Sequence, residues 1–144
     1  MSAKMRTKPK RQTTPWYRGA RVPNSVIRQF AREIAERFKP YKIILFGSHA
    51  YGKPNSRSDV DILVVMPCRS ERDQAFKIQL AISCPFRLDL VVRKPTNLKR
   101  LLTKGHYFYE DIVTMGTVLF EKGAAGRSRQ ARRRSPGRQR SFAK

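Results

Sequence analysis

Every apolar run able to form a buried strand in this chain lies between Val26 and Phe120, which confines any fold to the middle of the sequence. The flanks are basic and contribute little to a core. Residues 1–21 hold seven Lys or Arg and no acidic residue, and residues 122–144 hold nine and none. The segment between them carries sixteen basic residues against all ten acidic ones, so the flanks account for +16 of the formal net charge of +22. Such an excess points to contact with a polyanion or to solvated arms, and says little about the chemistry of the segment it encloses. With 40% hydrophobic and 10% aromatic residues, a chain of 144 residues suits one domain with a real core. Wholesale disorder and a two-domain enzyme are both poor readings of those figures.

Other classes fall away quickly. No apolar stretch approaches the length needed to span a bilayer, and the basic N-terminus lacks the apolar core of a signal peptide, so a soluble, cytoplasmic protein with no membrane partner is expected. Cys68 and Cys84 lack the spacing of a zinc or redox site and should be two reduced, half-buried thiols. His49 and His106 lie far apart, which argues against a Cys/His metal centre.

Local patterning divides the middle segment into alternating elements. Val26, Ile27, Phe30, Ile34 and Phe38 recur at helical steps behind Asn24 or Ser25 as N-cap, and Pro40 stops that helix. Lys42–Phe46, ending at Gly47, and Val60–Met66, ending at Pro67, are short runs rich in β-branched residues and read as buried strands. Residues 70–82 should be helical, with a less regular apolar face, and Phe86–Val92 should form a third strand. Pro95 and Thr96 open a helix that Gly105 closes, Tyr107–Met115 reads as another, and Thr117–Phe120 as a last short strand. The order predicts a mixed α/β (α+β) fold: a small mixed β-sheet with helices packed on it.

The chemistry-bearing residues sit at the ends of those strands. Gly47-Ser48 follows the first strand directly, and Ser58-Asp59-Val60-Asp61 leads into the second. Residues two apart on a strand share a face, so Asp59 and Asp61 should project together, and two adjacent carboxylates repel unless a cation joins them. Mg²⁺ suits such a pair, because it takes oxygen ligands and is commonly held by one or two carboxylates together with substrate phosphates. Asp89 is the natural third ligand, since an ionised carboxylate inside the apolar run Leu88–Val92 would be costly to bury alone. Three carboxylates on adjacent strands can hold two metal ions about 4 Å apart, an arrangement suited to in-line phosphoryl transfer. Gly47 and Ser48 would let backbone N–H groups and a hydroxyl approach a phosphate. Taken singly, a D-x-D is usually a turn or cap, a G-S a tight turn, and a strand Asp a solvated residue at an edge. All three, in this order on three strands, favour the functional reading.

The run Leu45-Phe-Gly-Ser48, ten residues and then Asp59-Val-Asp61, with Asp89 on a later strand, resembles the minimal nucleotidyltransferase (MNT) family of the DNA polymerase β-like superfamily. The segment Glu110–Glu121 also resembles the end of that domain, so the likeness covers residues 24–122, between a basic N-terminal arm (1–23) and an Arg-rich tail (123–144). The resemblance implies transfer of a nucleoside monophosphate from ATP or another NTP to a hydroxyl, with release of pyrophosphate. It implies that Gly47 and Ser48 hold the triphosphate, that Asp59 and Asp61 bind two Mg²⁺ ions, and that Asp89 completes the catalytic metal site and helps deprotonate the acceptor. Where many members carry arginines, this chain has His49 and Tyr51. Some members pair with a HEPN-domain protein as the antitoxin of a toxin–antitoxin module, which makes a HEPN-type partner the expected acceptor.

Two other readings stay open on the sequence. A contact-only antitoxin would neutralise its partner without turnover. A nucleic-acid-directed enzyme or binder would use the basic flanks, Arg132-Arg-Arg134 above all, in a salt-dependent way. Tyr107, Phe108 and Tyr109 read as core and interface packing rather than as a base-stacking platform.

Overall fold

A computed structural model describes Tyr17, residues 21–54 and residues 58–123. Helix α1 (Asn24–Phe38) buries Ile27, Phe30, Ala31 and Ile34, the stripe its periodicity requires. It starts one step earlier than the sequence suggests. Pro23 is the N-cap, and its carbonyl accepts from the N–H groups of Val26 and Ile27, so neither Asn24 nor Ser25 caps the helix. Lys39 ends it in the left-handed region (φ 51°), ahead of Pro40, which cannot continue a helix.

Strand β1 (Lys42–Phe46) is followed by a single-turn helix, α2 (Ser48–Tyr51), where the sequence suggests only a turn. Next come β2 (Val60–Val65), α3 (Glu71–Ala81), β3 (Leu88–Arg93), α4 (Pro95–Thr103), α5 (Tyr107–Met115) and β4 (Thr117–Glu121). The sheet runs β3-β2-β1-β4, with β1 antiparallel to both neighbours and β2 parallel to β3. A parallel pair needs a crossover, and α3 supplies it. Ser70 caps α3 by accepting from the Asp73 N–H at 3.2 Å, and Glu71 and Asp73 complement the positive end of the helix. Its weak periodicity has a physical basis: Ile78 is its one buried residue, while Phe76 and Leu80 face solvent.

The sheet is covered on both faces. Ile43, Leu45, Ile62, Val64, Leu90 and Val92 pack with α1 and with Ile78 of α3. Phe86 precedes β3 instead of opening it, and meets Phe30 edge to face in that layer, ring centres 5.4 Å apart. On the opposite face Ile44, Phe46, Leu63 and Val65 pack with Tyr109 and Ile112 of α5 and with the leucines of α4. At the turn from α5 into β4, a Cβ on Gly116 would lie 2.6 Å from Ile44 Cγ2, so only glycine admits the close approach.

Arg93, Glu71 and Tyr109 knit the C-terminal end of β3 to its helices. Glu71 accepts from the Lys94 N–H and from Asn97 Nδ2, both at 2.8 Å, while Arg93 donates to the Tyr109 hydroxyl at 2.9 Å. These bonds hold the Glu71 carboxyl below its ordinary pKa although burial pushes it the other way. Cys68 and Cys84 are free and partly buried, as their spacing predicts, and burial pushes the Cys84 thiol up to about 12. Of the basic N-terminal arm, Tyr17 donates its N–H to the Pro85 carbonyl and packs on the core, and Val22 is buried. Trp16 and the Arg-rich tail beyond Gly123 lie outside the described residues.

Candidate active site

The candidate site is assembled where β1 leaves the sheet and β2 and β3 enter it. Chain direction explains the convergence: β1 runs against β2, so Phe46 pairs with Asp61, and β2 runs with β3, so Asp61 pairs with Asp89. Cross-strand partners share a face. Phe46, Asp61 and Asp89 therefore lie on the face that α4 and α5 cover farther along the strands.

Gly47 follows at φ 77°, a conformation that L side chains rarely adopt. A Cβ there would collide with Asp61 Oδ2, so the glycine is required twice, by conformation and by contact. Its carbonyl accepts from the N–H groups of Ala50 and Tyr51, both at 3.0 Å, which closes the single turn of α2 and places Ser48 at its start. His49 Nδ1 lies 3.2 Å from the Asp59 carbonyl. As the protonated nitrogen, Nδ1 would donate there and tie this turn to the entrance of β2. Burial lowers the His49 pKa and the Asp59 carbonyl opposes that shift, so the ring is held neutral. Its Nε2 is buried and has no hydrogen-bond partner among the described residues.

The carboxylates differ in environment. Asp61, on an interior strand, has its pKa raised to about 6 by burial first, then by the charge and the hydrogen bond of Asp89, then by the charge of Asp59. Asp89 is exposed rather than buried, contrary to the sequence reading, at the second position of the edge strand β3. Burial at this site falls on Asp61 instead. Asp59, one residue before β2, forms an ion pair with Arg87, Oδ1 to Nε 3.0 Å, with both side chains about half exposed. The approach is not aligned as a hydrogen bond, and Oδ1 is otherwise buried without one. Asp61 and Asp89 are thus brought into contact, while Asp59 is turned toward Arg87. Among the described residues no three His, Cys, Asp or Glu side chains gather closely enough to hold a metal ion.

Asp61 and Asp89 are the two carboxyls whose donor chemistry suits a divalent cation. Two carboxyls in contact repel when both are ionised, and a cation between them would relieve that repulsion, whereas Asp59 Oδ1 already has the Arg87 guanidinium beside it. Arg87 is the participant that sequence reasoning missed. Its one signal was its position two residues before Asp89, but only the β2–β3 register sets it beside Asp59.

The fold is thus a four-stranded mixed sheet with helices on both faces, with acidic residues at the strand ends beside a glycine turn. The model of the nucleotidyltransferase domain family matches residues 27–113, from α1 into α5, and the chain belongs to that family. Two solved structures are similar to part of it. One is a Sulfolobus solfataricus protein assigned as a nucleotidyltransferase, with 20% identity and a TM-score of 0.49, covering 68% of this chain and 79% of its own. The other is a mutant form of the toxin–antitoxin MntA–HpeT, with 21% identity and a TM-score of 0.47, covering 72% and 77%. Neither likeness bears on what this chain acts on. No curated protein matches the sequence. No helix among the described residues is long and apolar enough to cross a membrane.

Proposed function

We propose that residues 24–122 form a Mg²⁺-dependent nucleotidyltransferase that moves a nucleoside monophosphate, AMP from ATP first among them, onto a hydroxyl of a partner protein. The contact between Asp61 and Asp89 beneath Gly47 carries this reading. It creates a local excess of negative charge that a bound divalent cation would relieve, at the turn where Gly47 admits the Asp61 carboxyl at close range. Asp59, Asp61 and Asp89 would hold the ions, and Gly47 and Ser48 would line the triphosphate. Bound Mg²⁺ supplies positive charge to the phosphoryl oxygens as negative charge builds on them.

The bond that breaks joins the α-phosphorus to the oxygen bridging it to the β-phosphorus. The bond that forms joins the α-phosphorus to the acceptor oxygen, and pyrophosphate carries away the electron pair. Asp89, open to solvent on the edge strand, is the carboxylate that an incoming hydroxyl reaches, and it takes the acceptor proton. Gly47 keeps the approach to Asp61 clear of side-chain atoms. The same exposure admits a large acceptor, which favours a hydroxyl on a folded partner, and a HEPN-type toxin is the partner proposed for an antitoxin of this family.

The test is label transfer from α-labelled NTPs with Mg²⁺, in the presence of a co-purified partner or of bulk RNA. Label on the partner that disappears in Asp59→Asn and Asp61→Asn supports the proposal. Label on RNA instead moves the acceptor to nucleic acid, and partner binding without any label identifies a contact-only module.

A further inference from the structure

A second surface lies away from the carboxylates, between α1 and the open edge of β4. It is a groove of about 540 Å³ with Leu119 and Phe120 in its floor and Arg28, Arg32, Lys39 and Lys122 around it. The floor is the work of a bulge. The β1–β4 ladder slips between Ile43, which pairs with Phe120, and Ile44, which pairs with Val118, so Leu119 has no partner and both it and Phe120 turn toward the α1 layer. All four cations are exposed, and none forms an ion pair with any carboxylate of the described residues. Lys39 is spent on the Glu36 carbonyl, and Lys122 lies over the Tyr41 ring. Glu36 is the one acidic side chain lining the groove.

We propose that this groove docks an extended acidic segment of a partner protein, in which acidic and apolar residues alternate, as a fifth strand on the edge of β4. Among the described residues β4 is an outer strand with no neighbour beyond it, and its edge offers backbone hydrogen bonds, the usual source of affinity when a strand is added to a sheet. Side chains at alternate positions then face α1, where apolar groups reach Leu119 and Phe120 and carboxylates reach the cationic rim. Charge selects the occupant. Residues 124–144 of this chain carry eight Lys or Arg and no acid, and a second copy brings a net charge of +22, so the rim repels both. Nucleic acid matches the charge but leaves the apolar floor and the strand edge unused. The proposal stands whether or not the carboxylate site transfers a nucleotide.

Fluorescence anisotropy on the full-length protein tests it, with a labelled ten-residue peptide alternating Glu with Leu or Phe as probe. A Lys-for-Glu version of the peptide and a single-stranded oligonucleotide serve as comparisons. The double variant Arg32→Glu/Lys39→Glu removes charge from the rim, while Lys99→Glu/Lys104→Glu removes the same charge from the exposed side of α4. The acidic peptide should lose at least about tenfold in affinity with the rim variant and less than about twofold with the α4 variant. Equal losses in the two variants, or none, would overturn the proposal by showing that the probe senses net charge alone. A loss at the rim confined to the oligonucleotide would overturn it in favour of a nucleic-acid site. Circular dichroism confirms that each variant is folded.

Discussion

Replacing Asp61 with Asn should stabilise the metal-free protein while abolishing transfer. In the fold this carboxyl titrates near 6, against 3.8 when unperturbed, so its native form holds a proton that the open chain has released between those values. Unfolding therefore releases a proton across that window, and stability falls as pH rises from about 4 to 6. At about 1.4 kcal/mol per pH unit, a difference of that size corresponds to about 3 kcal/mol. Solvent screening at this partly exposed site reduces it to roughly 1–2 kcal/mol. Asparagine keeps the shape and cannot ionise, so in EDTA at pH 7.5 Asp61→Asn should melt roughly 5–10 °C above the parent. At pH 5 the gap should shrink, by up to nearly half. Mg²⁺ should raise the melting temperature of the parent and leave that of the variant nearly unmoved. Thermal unfolding followed by circular dichroism at both pH values, with EDTA or Mg²⁺, measures all of this. A variant that melts below the parent at pH 7.5, or a gap that does not depend on pH, would refute the reasoning that Asp61 is a strained carboxylate held beside Asp89.

Two further outcomes follow from the packing. Gly47→Ala should lose about 2–3 kcal/mol in urea unfolding and lose transfer activity, because the methyl meets Asp61 at a positive φ; an unchanged midpoint would mean that the turn relaxes freely. Glu71→Ala should cost about 2 kcal/mol by leaving the Lys94 N–H and the Asn97 amide without their acceptor, with little change in transfer per folded molecule; a fall in turnover without a fall in stability would tie this network to the site.

Much of this molecule was legible in one dimension. Strands are short runs with a period of two, and helices carry a stripe at 3.6, so Lys42–Phe46, the Val60 run and the α1 stripe announce themselves through local physics alone. The spacing from Gly47-Ser48 to Asp59-Val60-Asp61 is likewise local, because the turn and the strand that follow it are contiguous in the chain. Boundaries shifted by a residue or two where the backbone acted in place of the side chain, as when Pro23 capped α1 through its carbonyl.

What the chain could not reveal is which strand lies beside which. Sheet order is a non-local property, and it reassigned the environments of the acids: β3 fell at the edge, leaving Asp89 in solvent, and β2 fell inside, placing the cost of burial on Asp61. The same order brought Arg87 to Asp59 across the register and, among the described residues, left β4 as an outer strand beside α1. Residue types and spacing pointed to the proposed chemistry, since paired carboxylates near a glycine turn suit a cation wherever they stand. Tertiary packing decided which carboxylate carries the strain and which stands open to solvent, because desolvation and charge coupling depend on neighbours that only the folded sheet assembles.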